Sequence, residues 1–226
     1  MSARDQVLAS IRRSLGVTGR EAPRRKVVAD RLAEHPKGVV PKRGQLAGSA
    51  RLDLFIKMLE AASGSAERLA DMDDVPQGVA AFLRRYNLPP SVRRGDDNRL
   101  AALPWDRAGT LEVTVGPSDG TQQASISHAF GGVAETGTVV LTSGKDNPTT
   151  LNFLPDNHLV VLDAKDIAGD YETVWERLRQ TFGSDRWPRT VNMVTGPSRS
   201  ADIEQTLLLG AHGPRRLHVM IVGDAD

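Results

Sequence analysis

The 226 residues contain no cysteine. That excludes a disulfide framework, a zinc ribbon, a thiol nucleophile and a cysteine-held iron–sulfur cluster within them. Aromatic residues make up only 4%, and none interleaves the basic residues near the N-terminus as stacking on nucleic-acid bases requires. The five histidines do not show the His-x3-His type of spacing that marks a metal site. Apolar runs are short. The longest type, Leu159-Val160-Val161-Leu162, falls far below the roughly 20 residues that cross a bilayer. The first 16 residues mix Arg4, Asp5, Arg12 and Arg13 with apolar side chains and lack the apolar core of a signal peptide. The expectation is a cytoplasmic protein without a membrane span.

What is present suits a folded α/β chain. Hydrophobic residues reach 39%, enough to offset ordering entropy over most of the length. The net charge is only +1, which argues against a wholly basic nucleic-acid module. That total hides an asymmetry. Residues 1–48 carry 11 Lys/Arg against 4 acids, and the remainder carries 18 against 24. A leader of charge +7 therefore precedes a body of −6. The division expected is an N-terminal helix and basic linker over 1–48 and an α/β domain over 49–226. The linker reads either as an arm for a partner or, more plainly, as a solvated extension.

Periodicity places the elements. Val7, Leu8, Ile11 and Leu15 stripe a first helix that Gly16 can end. Residues 17–48 have weak periodicity and read as extended. Leu52, Phe55, Ile56 and Leu59 recur at helical spacing. Val79, Phe82, Leu83 and Tyr86 mark another helix, with Asp74 and Pro76 at its start. Tyr171, Val174, Trp175, Leu178 and Phe182 mark a further one. Residues 110–115, 138–142, 159–162, 191–195 and 217–222 read as strands, and 201–209 as a helix. Such alternation predicts a three-layer α/β/α sandwich with a mostly parallel central sheet.

Three segments differ from ordinary core and turn sequence. In the first, Glu135, Thr136, Gly137 and Thr138 lead into the strand Val139-Val140-Leu141. A carboxylate there is costly unless it is paired, and the plainer reading is a helix end capped by Glu135, with Gly137 at positive φ. The second, Gly196-Pro197-Ser198-Arg199-Ser200-Ala201-Asp202-Ile203-Glu204, reads as a strand–turn–helix junction. Ser198, Ser200 and Arg199 suit an anion there, while Asp202 and Glu204 suit a helix cap equally well. It fits neither a P-loop nor a nucleophile elbow. In the third, Gly210-Ala211-His212-Gly213-Pro214, His212 is the only side chain of a type suited to exchanging protons. A softer signal is the turn Leu154-Pro155-Asp156-Asn157-His158. His128, before Gly131-Gly132, reads as structural, and His35 and His218 have no special context. A Ser198/His212/Asp202 triad can be drawn only as chance allows in a chain of this size.

In order, AETGTVVL (134–141), LPDNHLVVL (154–162), GPSRSADIE (196–204) and GAHGP (210–214) resemble the lactate-utilization protein C family, the LUD-domain proteins. The resemblance runs from about residue 110. Ser200 stands where Thr is expected, which keeps the hydroxyl. The resemblance implies a Rossmann-like core similar to the sugar-phosphate isomerase and CoA-transferase superfamily. It also implies a part in oxidising L-lactate to pyruvate beside partner proteins that carry iron–sulfur clusters, with no cofactor held in this chain. On that footing Glu135 and His212 are candidate catalytic residues. Thr136, Gly137, Thr138, Ser198, Arg199, Ser200, Asp202 and Gly213 are candidates for holding a small organic anion such as lactate or pyruvate, in one crevice at strand C-termini. Two other expectations stand beside this one: a transferase or isomerase using Glu135, which is analogy from fold, and a scaffold that only docks partners.

Overall fold

A computed structural model describes residues 2–183, 186–200 and 208–224. The chain divides into two compact units, residues 1–39 and 40–226. The first holds helix α1 (Ala3–Ser14) and helix α2 (Ala22–Glu34). A capping box starts α1: Ser2 Oγ accepts the Asp5 N–H at 3.2 Å, and the Asp5 carboxylate accepts the Ser2 N–H at 3.1 Å. The second helix corrects the extended reading of residues 17–48. Pro23 sits in its first turn, Lys26 pairs with Asp30 at 2.8 Å one turn on, and His35 ends it at φ +45°. Neither helix buries a residue. Ile11, on the stripe expected to be apolar and packed, is 49% exposed.

The second unit begins at Val40, ahead of residue 49. A 3-10 turn at Lys42–Gln45 brings Gly44 against Gly169, where a Cβ on Gly169 would collide with the Gly44 carbonyl. Helix α3 (Gly48–Ala61) then buries Leu52, Phe55 and Leu59. Each buried side chain of that size is worth about 1.5–3 kcal/mol. Strand β1 (Ser65–Leu69) and helix α4 (Val75–Arg85) follow; α4 buries Val79, Phe82 and Leu83, as its spacing predicts. Next come β2 (Ser91–Arg94), the short α5 (Asn98–Ala101), β3 (Glu112–Val115) and β4 (Ala124–His128). The chain continues through β5 (Gly131–Val133), β6 (Thr138–Thr142), α6 (Thr149–Phe153), β7 (Asn157–Asp163), β8 (Ile167–Ala168) and α7 (Tyr171–Phe182). It closes with β9 (Val191–Val194), β10 (Arg199–Ser200), β11 (Leu208–Leu209) and β12 (Arg216–Val222).

Six strands form the central sheet in the order β1-β12-β7-β4-β2-β3. Every neighbouring pair is parallel. Alternation along β7 sends Leu159 and Val161 to the α4 face and Val160 and Leu162 to the α3 face. The three-layer α/β/α sandwich with a parallel sheet is therefore present. One of its outer layers is richer than expected. A second sheet, in the order β8-β5-β6-β9, joins α3 on that face. Its other side is covered by Val174 and Leu178 of α7. The strands expected over 138–142 and 191–195 belong to this sheet, pairing antiparallel with each other. Strands buried on both faces read alike wherever they lie, so sequence pattern could not separate the two sheets.

The helix expected over 201–209 lies mostly outside the described residues. Its last two positions, Leu208 and Leu209, form a strand antiparallel to Arg199 and Ser200. Backbone at Arg199–Ser200 is extended, and the helix start expected after it lies outside the described residues.

Candidate functional site

In a parallel sheet, loops at the carboxyl ends of the strands form the natural crevice. Here β4 ends at His128 and its neighbour β7 ends at Asp163. The imidazole Nε2 lies 3.4 Å from the Asp163 carboxylate, and Nδ1 lies 3.0 Å from the Ala129 carbonyl. A hydrogen bond to that carbonyl places the proton on Nδ1 and leaves Nε2 as the lone pair of the neutral ring. Burial, then the charge of Arg99, hold His128 below its ordinary pKa, against the pull of Asp163 and Asp97.

Helix α5 supplies the next part. Asp97 caps it, accepting the Arg99 N–H at 2.8 Å, and grips the Arg99 guanidinium at 3.1 and 2.6 Å. Burial alone would raise the Asp97 carboxyl; the Arg99 fork and charge outweigh it and hold the pKa low. Arg99 reaches from this anchor into a crevice of about 500 Å³. Thr142 and Ser143 at the end of β6, with Arg177 and Phe182 of α7, line other walls of the same space. Arg177 is steadied by a 3.0 Å bond from Nη1 to the Asp166 carbonyl. Asp146 and Asp166 also border the crevice. The arrangement offers two guanidinium groups, two hydroxyls and a neutral imidazole, which suits a small carboxylate with a further oxygen.

Sequence reasoning missed this set. His128 read as structural, and Arg99, Asp163 and Arg177 drew no attention. The available signal was the run Asp97-Asn98-Arg99, a cap followed by a cation, and polar residues closing two buried strands.

The residues that sequence did single out lie elsewhere. Pro197, Ser198, Arg199, His212 and Gly213 gather at the amino-terminal ends of β7 and β12, around a cavity of about 250 Å³. The expected single crevice at strand C-termini is therefore corrected: these loops sit at the other end of the sheet. The reason is direction, because Ser198 and Pro214 are bonded at 2.9 Å just ahead of the start of β12. Arg199 and His212 are exposed. Ser200 has its backbone in β10, and Asp202 lies outside the described residues.

The motif at 134–138 has a structural occupation. Glu135 is buried, and its carboxylate accepts the Tyr171 N–H at 3.2 Å, at the first turn of α7. That is favourable work for a negative charge at a helix start, and it matches the capping reading in kind, although the helix is a distant one. Gly137 has φ +66° and lies against the backbone of Met58 and Leu59 in α3, where a Cβ has no room. Thr136, Thr138 and Thr195 form a hydroxyl chain with Tyr171, with links of 2.6 to 3.0 Å. The chain ends beside Gly196, so the first two motifs are neighbours. Among the described residues, no three His, Asp or Glu side chains gather to hold a metal ion. Among the described residues, no helix is long and apolar enough to cross a membrane.

Parallel sheet, flanking helices and a polar crevice at strand carboxyl ends define the class: an α/β/α sandwich. The chain belongs to the LUD-domain family, whose sequence profile matches residues 52–222. Among curated proteins it is similar to lactate utilization protein C of Shouchella clausii, 31% identical over 147 residues, which are 65% of this chain and 57% of that protein. It is similar to the protein of the same name from Macrococcus caseolyticus, 30% identical over 67% of this chain and 69% of that one. The Bacillus subtilis protein of that name is 34% identical over 46% of this chain and 44% of its own length. The match to the first of these relatives spans little more than half of its length. Among solved structures, a DUF162 family protein from Deinococcus radiodurans shares the fold, with a TM-score of 0.53 and 21% identity. That match covers 79% of this chain and 99% of the other.

Proposed function

We propose that this chain is a component of a lactate-utilization system and that it binds a small 2-hydroxy or 2-oxo carboxylate, such as lactate or pyruvate. The family and the names of the relatives support the system. The observation that supports the ligand is the meeting of Arg99 and Arg177 beside neutral His128 at the carboxyl ends of β4 and β7. In this reading the guanidinium groups hold the carboxylate, and Thr142 and Ser143 hydrogen-bond the second oxygen. His128 takes up the hydroxyl proton, and Asp163 stabilises the imidazolium that results. Oxidation of lactate to pyruvate also releases two electrons and a second proton. The residues of the crevice supply an acceptor for neither, so both would pass to a partner protein, where an iron–sulfur cluster would take up the electrons.

Calorimetric titration with L-lactate and with pyruvate tests the site. Wild-type protein is expected to bind, and Arg177→Met to weaken binding about 10- to 100-fold, the worth of a charge-assisted hydrogen bond. Loss in Arg199→Ala with Arg177→Met unaffected would move the anion to the 196–200 loop. Absence of binding by the wild type, alone and with its partners, overturns the ligand reading. Recovery of the chain from its native source without any iron–sulfur protein overturns the partner reading.

A further inference from the structure

The crevice at the strand carboxyl ends is larger than lactate. A lactate ion fills about 120 Å³, some four times the share of one water molecule, in a space of about 500 Å³. The chain has only three Trp, two Tyr and five Phe, yet two phenyl rings, those of Phe130 and Phe182, form one wall of this crevice. Both are only partly buried. Aromatic walls with a few placed polar groups are the usual make-up of a small-molecule site.

The wall is held in place, and it stands beside an arginine. The rings of Phe130 and Phe182 lie 5.9 Å apart, tilted by 32°, and Trp187 backs Phe182 at 6.2 Å. The Trp187 Nε1–H donates to the Gly183 carbonyl at 2.6 Å, which fixes the indole. The Asp166 carbonyl that accepts from Arg177 also lies against Gly131, where a Cβ would come within 2.9 Å of it. Phe130 directly precedes Gly131 in the chain, so the guanidinium and the ring pair are neighbours. A carboxylate held by Arg177 can turn its side chain onto the phenyl wall.

The acids limit the charge of that side chain. Arg99 is answered by Asp97, with Asp163 and Asp146 in range, while Arg177 bonds a neutral carbonyl. One negative charge on a ligand finds a partner there. A second would meet Asp146 and Asp166, which border the same space, and like charges brought together are costly. The part of the ligand beyond its carboxylate is therefore neutral, and against two phenyl rings an aromatic group gains most.

We propose that this crevice selects 2-hydroxy or 2-oxo monocarboxylates with an aromatic side chain, which lies on Phe130 and Phe182. The proposal rests on the carboxylate reading of the same crevice. Lactate meets the arginines and hydroxyls but leaves the phenyl wall bare.

Calorimetric titration of the whole chain with L-lactate, L-3-phenyllactate and 2-hydroxybutanedioate tests the proposal. L-3-phenyllactate is expected to bind about tenfold or more tightly than L-lactate, the worth of a partly buried phenyl ring. The dicarboxylate is expected to bind no more tightly than L-lactate. Phe182→Ala should bring the preference for the phenyl acid down to about threefold or less, since one of the two rings is gone. Should that variant not fold, Phe182→Leu keeps an apolar side chain in the packing and should cut the preference about threefold, the worth of one aromatic contact. Equal binding of L-lactate and L-3-phenyllactate, or a preference that neither variant changes, overturns the aromatic class and leaves the carboxylate reading standing. Binding of 2-hydroxybutanedioate as tightly as L-3-phenyllactate overturns the limit to one charge. Binding of none of the three acids overturns both readings.

Discussion

The two ends of the central sheet are built on opposite principles. At the carboxyl ends ionised groups gather: Asp97 grips Arg99, and Asp163 stands beside the neutral His128. At the amino-terminal ends, polarity is neutral and buried, with Ser127, Asn152 and His158 sharing one short network. Solvent accounts for the difference. Asp163 has a quarter of its side chain exposed, so ionised groups there keep part of their hydration. His158 has none, and desolvation alone keeps it uncharged. The carboxyl ends therefore keep ionised side chains partly hydrated, and the interior beneath the amino-terminal ends keeps a neutral network.

The contrast can be broken most forcefully at Ser127. Ser127→Ala leaves both the Asn152 carbonyl and the His158 Nε2–H buried without a partner. At about 1–3 kcal/mol for each orphaned group, the variant should lose about 2–5 kcal/mol of stability. Urea unfolding measures it, and a loss below 1 kcal/mol would mean that the network is already open to water.

Next in size is the response to acid. The folded pKa of His158, about 3, lies below the ordinary 6.5, so the unfolded chain binds a proton that the native state refuses. This part of the stability is complete above pH 6.5 and is lost as pH falls from there towards 3. Between pH 7 and pH 5 it amounts to about 2 kcal/mol. Urea midpoints at the two pH values, compared between wild type and His158→Asn, isolate it. Identical pH dependence in the two proteins would show that His158 titrates normally.

A smaller effect is expected at the charged end. Asp97→Ala removes a helix cap and the grip on a half-exposed arginine, worth about 1 kcal/mol together. It should also loosen Arg99 and weaken carboxylate binding. Unchanged titration with L-lactate would show that Arg99 needs no anchor. The smallest effect belongs to the exposed pair Arg107–Asp73, 3.2 Å apart. Arg107→Ala should shift stability by less than about 0.5 kcal/mol, as solvated ion pairs do. A larger shift in urea would mark that surface as covered.

Much of the fold was legible because burial leaves a period in the sequence. Leu52, Phe55 and Leu59 announced α3, and Leu159 to Leu162 announced a strand buried on both faces. Helix α2 was not legible: its apolar periodicity is weak, and it is held by local features such as the Lys26–Asp30 pair. The motif loops were expected at the strand carboxyl ends, and those around Ser198 and His212 lie at the other end. Motifs rich in Gly, Pro and Ser drew the eye to 196–200 and 210–214, while His128 and Arg99 sat in segments without unusual composition. Glu135 illustrates the same limit. Its sequence context predicted that a buried carboxylate must find a partner, and it does, but that partner is the Tyr171 N–H, 36 residues away.

By itself, then, the sequence determined the absence of thiol chemistry, the alternation of helices and buried strands, and the family. Those properties depend on residue type and on local order along the chain. Only the tertiary structure decided which loops share an end of the sheet, which histidine faces a carboxylate, and which buried polar atoms remain without a partner. These depend on strand order and direction, and parallel pairing joins residues too distant in sequence for any local pattern to record.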